Sequence, residues 1–253
     1  MFSPFSRLLA TCLVLAIAPV SALHAEPAII AKARSYLGTE AALTAVKSVH
    51  YKGTMTGSSA TDASKPVSLA IDLVFQLPYQ LRTARTTDSV VDTIGLDNYD
   101  GWHRVQDSKD PTRWRLQVLP TDQVKRQRAI VIENISFYRG LEKAGGKVID
   151  LGSTTVNGVA CRKIEFLHAA DIIFFRYIDE STGRLLLSET ETGSTIREEG
   201  EILVQGVRFP KVIINTSKTA DGKEQNVTIT FDSITLNESF PDSTFAIPSF
   251  SGK

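Results

Sequence analysis

Side chains able to do covalent or metal chemistry are few in this chain, and they are scattered. Of its two cysteines, Cys12 lies in an apolar N-terminal run. Cys161 sits in the alternating segment Val159-Ala160-Cys161-Arg162-Lys163-Ile164, where a cysteine behaves as a small buried hydrophobe. His50, His103 and His168 each stand alone on a strand-like segment or at its end, which suits surface or internally satisfied residues better than ligands. Zinc-ligand spacing, a phosphate loop, a Gly-x-Ser-x-Gly elbow and a His-Glu-x-x-His helix are all missing from the sequence. Asp97-Asn98-Tyr99-Asp100-Gly101 lacks the carboxylate spacing and late glutamate of a calcium loop, and reads as a turn. Glu198, Glu199 and Glu201 with Arg197 read as a solvated edge. Asn134, Asn215, Asn226 and Asn237 begin Asn-x-Ser/Thr sequons, which matter only in a glycosylating secretory pathway. These residues predict neither catalysis nor a cofactor nor a metal. The chemistry left is burial of apolar surface.

The chain has 253 residues with 28 Lys+Arg against 28 Asp+Glu. A balanced charge excludes a whole-surface nucleic-acid binder, which needs a basic excess to displace counterions. Residues 1–25 read as a secretory signal, with Arg7 in the positive region and an apolar stretch from Leu8 to Val20. That stretch is short for a membrane span of roughly 20 residues. Thr11 before Cys12 argues against a lipobox. Cleavage after Ala25 would leave 27 cations, 28 anions and Cys161 alone, so the expected secreted chain has no internal disulfide and relies on its core.

The elements follow from periodicity. Ile29, Ile30, Ala33 and Leu37 make one helical face, which Leu43 and Val46 continue past a break at Gly38-Thr39. Val67, Leu69, Ile71, Leu73 and Phe75 then alternate with Ser68, Ala70, Asp72, Val74 and Gln76, the period of a strand. Further strand pairs are expected on either side of Asp97-Asn98, Asn157-Gly158, Gln205-Gly206 and Ala220-Asp221-Gly222. One segment departs from the β pattern. Thr121 or Asp122 is placed to cap a helix carrying Val124, Val131, Ile135, Tyr138 and Leu141, ended by Gly145-Gly146. No linker divides the rest, so residues 26–253 are expected to form one domain.

Between residues 172 and 178 both strand faces are apolar: Ile172, Phe174 and Ile178 on one, Ile173, Phe175 and Tyr177 on the other. Such a strand needs cover on each side. Either face is open as the inner one. The cover is either a packed core or an apolar cavity holding a ligand.

The order of signal, N-terminal helix, strands, helical insert and long antiparallel meander is similar to the LolA/LolB-type lipoprotein-carrier superfamily and its outer membrane lipoprotein-sorting relatives. The likeness rests on Leu73-Val74-Phe75-Gln76-Leu77-Pro78-Tyr79-Gln80-Leu81-Arg82, on Asp100-Gly101-Trp102, on Tyr177-Ile178-Asp179 with Thr182-Gly183, on Gly206-Val207-Arg208-Phe209-Pro210, and on Phe240-Pro241-Asp242-Ser243-Thr244-Phe245-Ala246-Ile247-Pro248. It implies a mainly β (α+β) fold: a curved, incomplete antiparallel β-barrel of about 11 strands, with helices lidding the concave face over acyl chains. In such carriers an arginine directly before the strand-ending proline ties the lid. Leu77 stands there, so that tie is missing.

The resulting expectation is a non-enzymatic, monomeric periplasmic carrier or sensor of lipid or lipoprotein acyl chains, able also to meet envelope membrane proteins. Its expected cavity residues are Leu69, Ile71, Leu73, Phe75, Ile172, Phe174, Ile214, Ile229 and Phe231, with Val131, Ile135 and Tyr138 from the lid. The alternative is an envelope regulatory or interaction module on the same scaffold, with a filled core and no ligand.

Overall fold

A computed structural model describes residues 26–58, 66–219 and 222–249. The expected signal, and Ala220-Asp221 of the last expected turn, lie outside these residues. Two helices lead: α1 (Ala28–Leu37) and α2 (Glu40–Ala45), broken at Gly38-Thr39 as the sequence predicts. Thr39 begins α2 by accepting a hydrogen bond from the Ala42 N–H at 3.2 Å. Six strands follow: β1 (Ser48–Ser58), β2 (Pro66–Gln76), β3 (Gln80–Thr86), β4 (Val90–Asp97), β5 (Asp100–Asp107) and β6 (Trp114–Val118). After α3 (Thr121–Ile135) come β7 (Lys147–Val156), β8 (Val159–Ala169), β9 (Ile172–Asp179), β10 (Leu185–Thr190), β11 (Thr195–Val204), β12 (Val207–Lys218) and β13 (Glu224–Leu236).

All strands among the described residues belong to one antiparallel sheet in the order β6-β5-β4-β3-β2-β1-β13-β12-β11-β10-β9-β8-β7. The chain builds one half outward from β1 to β6, crosses back through α3, and builds the other half inward from β7 to β13. The pairing of β1 with β13 closes the seam between the halves. β6 and β7 are the two edges, so the sheet curves without closing. The sheet has 13 strands rather than about 11. One strand the sequence did not announce is β6, whose five residues are too few to show a period of two.

Tight turns carry the meander. Asn157 and Gly158 have φ values of 51° and 81°, and Gln205 and Gly206 of 49° and 83°, the double positive φ that a type I′ hairpin requires. The helical insert is shorter than its periodicity suggests. Its N-cap is Pro120, no side chain caps it, and it stops at Ile135. Phe137 and Tyr138 then take positive φ values of 50° and 71°, so Tyr138 and Leu141 lie beyond the helix rather than on it.

The helices cover one face of the sheet, and that face holds the core. Tyr51, Ile71, Phe75, Leu81, Phe209 and Phe231 pack beneath Leu43 of α2 and Val124, Val131 and Ile135 of α3. A second core joins Ile30 and Ala33 of α1 and Ala129 of α3 to Ile164, Phe166, Ile172, Phe174 and Ile178. The opposite, convex face is partly covered by the C-terminal segment. Phe245 is fully buried there, and its carbonyl accepts the Trp102 indole N–H at 2.8 Å. Gly95 lies directly opposite Trp102, and a Cβ at Gly95 would collide with the indole ring. Gly95→Ala is therefore expected to destabilise the fold by about 1–3 kcal/mol through overpacking. Urea unfolding checks this; an unchanged midpoint would mean that the indole does not occupy the space above Gly95.

Candidate functional site: a clasped lid over an apolar sheet face

The register decides which expected cavity residues share a face. Leu69, Ile71, Leu73 and Phe75 pair with Met55, Gly53, Tyr51 and Val49, and Ile229 and Phe231 pair with Met55 and Gly53. All six therefore point to the helix-covered side. Ile214 does not. It pairs with Thr228, whereas its neighbour Ile213 pairs with Ile229, so Ile214 faces the convex side and Ile213 takes the inner position. The run Val212-Ile213-Ile214 is apolar throughout, which hides this parity in the sequence. In β9 the inner face is Ile172, Phe174, Arg176 and Ile178, alternating with half-buried Ile173, Phe175 and Tyr177 outside. Lys163 covers the outer rings, with its ammonium 4.2 Å from the Phe175 centroid and 5.0 Å from Tyr177.

These side chains come together, but mostly against each other and the helices. Ile135 lines a cleft of about 590 Å³ whose apolar floor also includes Leu43, Val46 and Leu77. Ile172 lines another of about 300 Å³ beside Ala129 and Leu141. Phe75, Val131 and Phe231 are buried in the first core, with Leu69, Leu73 and Ile229 packed against it. Tyr138 joins the second core, its ring 6.0 Å from Phe166. Burial holds the Tyr138 hydroxyl neutral, with its pKa raised far above the ordinary value.

What holds the lid was not evident from the sequence. Glu133, near the end of α3, has a side chain only 7% exposed and carries a negative charge into the second core. It meets His168 Nε2 at 2.7 Å and accepts a hydrogen bond from Arg176. Arg176 in turn donates to the Ser188 hydroxyl on β10. Burial works to raise the Glu133 pKa, but the Arg176 charge and the two hydrogen bonds outweigh it and hold the carboxyl below its ordinary value. Glu198 faces the same interior, paired with Ile213 on β12. Burial raises its pKa, and the attraction of Arg176 and Arg184 does not offset this. His168 is thus a satisfied interior residue. So is His50, held between Glu238 at 2.7 Å and Asp72 at 3.2 Å. Cys161 is buried, with Sγ 3.6 Å from the Thr154 carbonyl oxygen.

Three further clasps fix α3. At its start Arg126 pairs with Glu191 at 2.6 Å and donates to the Asp171 carbonyl at 2.9 Å. Arg128 lies over the rings of Tyr79 and Tyr99, 3.6 and 4.1 Å from their centroids, and donates to the Asn98 carbonyl. Beyond its end, Arg34 of α1 donates to the Phe137 and Ser136 carbonyls at 2.6 and 3.3 Å. Arg34 is also bidentate to Glu40 at 2.9 and 2.7 Å. Arg139 bridges Glu40 and Glu26 alongside. Leu77 is 39% exposed, and Arg82 bonds Asp72 on the convex side at 3.1 Å. Leu77 makes no such tie, and the segment after α3 is instead held by Arg34.

The chain thus forms a single unclosed antiparallel sheet, apolar on the face that the helices cover. No family model matches the chain, and no curated protein matches its sequence. Solved structures do match. A LolA superfamily protein from Nitrosomonas europaea superposes with a TM-score of 0.55 at 14% identity, over 85% of this chain and 97% of that one. A putative outer membrane lipoprotein-sorting protein domain from Vibrio parahaemolyticus gives 0.53 at 11% identity, over 86% and 94%. A DUF1329 family protein from Desulfovibrio piger gives 0.53 at 8% identity, over 87% and 96%. At these identities the fold is what is shared.

The Glu133 clasp makes a pH-dependent contribution. Its folded pKa lies below the ordinary value of 4.5, so the stabilisation is complete above about pH 4.5 and is lost as pH falls through the folded value. Glu133→Gln leaves Arg176 buried without its charge partner and is expected to cost about 3–5 kcal/mol at neutral pH. Denaturant unfolding of both proteins from pH 7 to pH 3 checks this. The gap between them should narrow as the acid limit is approached; a gap independent of pH contradicts an ionised Glu133.

Proposed function

We propose that this protein is a non-enzymatic carrier or sensor of lipid or lipoprotein acyl chains in the periplasm, and that the closed lid is its resting state. The observation carrying this reading is the way α3 is held. The lid covers an apolar sheet face, yet its attachments at both ends and near its middle are charged or carbonyl clasps. Ion pairs add little net stability compared with apolar packing, and they come apart as discrete units. Opening would free the inner positions Leu69, Ile71, Leu73, Phe75, Ile229 and Phe231 for an acyl chain, with Val131 and Ile135 on the opposite wall. The cleft beside Ile135, floored by Leu43, Val46 and Leu77, supplies an entry.

The energetics allow it. Each buried methylene contributes about 0.8 kcal/mol, so a sixteen-carbon chain offers roughly 12 kcal/mol gross to offset lid opening and chain ordering. The ligand must favour the open state over the closed one by more than the clasps favour the reverse. The likeness to a lipoprotein-sorting domain and a LolA superfamily protein supports the same reading.

A second reading has its own support. The side chains expected to line a cavity are largely packed into the two cores, as a filled interaction module requires. Mass spectrometry of an organic extract of gently purified protein separates the two. Recovered acyl lipid supports the carrier. Repeated absence of lipid, with no uptake of a fluorescent fatty acid, supports the module. For the carrier, Arg34→Gln should speed fatty-acid uptake several-fold by freeing the Ser136 and Phe137 carbonyls. Stopped-flow fluorescence reads this, and an unchanged rate would remove Arg34 from the gate.

A further inference from the structure

A second cleft lies on the convex face, across the sheet from the lid. Its floor follows from the register. Val74, Arg82, Gly95 and Trp102 form one cross-strand row from β2 to β5. Asp72, Ala84, Thr93 and Arg104 form the next. The Trp102 indole lies over Gly95, and the open trough runs along Thr93 with Arg82 on one bank and Arg104 on the other. The C-terminal segment closes one end. Asp242–Thr244 makes a short 3-10 turn there, and Ser243 and Thr244 line a space of about 640 Å³ together with Gln106. That volume is within the range of small-molecule sites.

This wall is fixed. Phe240 packs edge-on to His50 at 5.5 Å and to Phe245 at 6.0 Å. Trp102 holds the Phe245 carbonyl, and the Asn237 side chain accepts the Lys47 N–H at 2.7 Å. The cleft is therefore preformed.

Its charges are unequally matched. Arg82 and His50 share Asp72, and His50 also meets Glu238. Among the described residues Arg104 pairs with no carboxylate. Its guanidinium lies 5.0 Å from the Trp114 ring centroid, and its Nε is buried without a hydrogen-bond partner. Arg104 lines the cleft, so the outer N–H groups of a guanidinium that no carboxylate neutralises are available there to a bound oxyanion. The aromatic ring holds the planar fork in place without neutralising it.

We infer that this cleft binds a phosphate group, gripped by Arg104 and Arg82 with hydroxyl donors from Thr93, Ser243 and Thr244. The same chemistry is offered by a small phosphate ester and by a phospholipid headgroup, and the test separates them. Inorganic phosphate and glycerol 3-phosphate are titrated into the purified protein by ¹⁵N NMR. Vesicles of phosphatidylglycerol and of phosphatidylcholine are sedimented with it in parallel. A soluble ligand is expected to shift the Trp102 indole and the Thr93, Gln106 and Thr244 amides while leaving Val131 and Ile135 in place. Binding only to phosphatidylglycerol assigns the headgroup as the source. In either case Arg104→Gln should weaken binding about tenfold or more, and Arg104→Lys less. The wild-type shifts hold the proposal to account even if a variant folds poorly. No binding of phosphate, ester or anionic vesicle overturns the inference, as does binding indifferent to both Arg104 substitutions or shifts confined to the lid.

Discussion

A curved sheet that does not close must have its apolar concave face covered, and the rest of this molecule follows from that constraint. Thirteen strands run in one antiparallel order from β6 to β7, and those two edges do not pair with each other. Full barrel closure would let the strands bury their own inner face. Here the cover comes from α1, α2 and α3 instead. The division into two cores reflects this, one under α2 and α3 and one joining α1 and α3 to β8 and β9.

The cover is not held by apolar contact alone. Glu133, Arg176, His168 and Ser188 place charge inside the second core. A well-packed apolar set would serve stability as well or better. Ion pairs with fixed geometry do supply a defined closed position, because half-broken states leave buried charge uncompensated. Arg126 and Arg128 repeat the device along the helix with more solvent contact, and a buried Arg34 repeats it just beyond its end. The lid is thereby specified in one place and attached at discrete points. The convex face follows another rule, with a fixed C-terminal wall beside a polar trough.

Much of the fold was legible in the sequence because it is local. Leu69 to Phe75 show a period of two, Gly38-Thr39 breaks the leading helices, and Asn157-Gly158 marks its hairpin. The failures were of two physical kinds. Where both parities are apolar, as at Val212-Ile213-Ile214, periodicity cannot say which side chain is inside, and Ile214 proved to be outside. Helical spacing also ran through Tyr138 and Leu141, although positive φ at Phe137 and Tyr138 ends the helix before them. The clasps were invisible for a further reason. Glu133 lies 35 residues from His168 and 43 from Arg176, and only the crossover of α3 brings them together. The inner positions of β2 and β13 were readable as a set, but their packing against the lid was not.

In the proposed carrier, α3 is a lid that an acyl chain displaces. Spin labels at exposed Lys125 on α3 and exposed Thr155 at the β7–β8 hairpin, in a Cys161→Ser background, report its position by double electron–electron resonance. A displaceable lid gives one narrow distance in the lipid-free protein and a second, longer population when a long-chain fatty acid is added. A bound fatty acid that leaves the distance unchanged would contradict it.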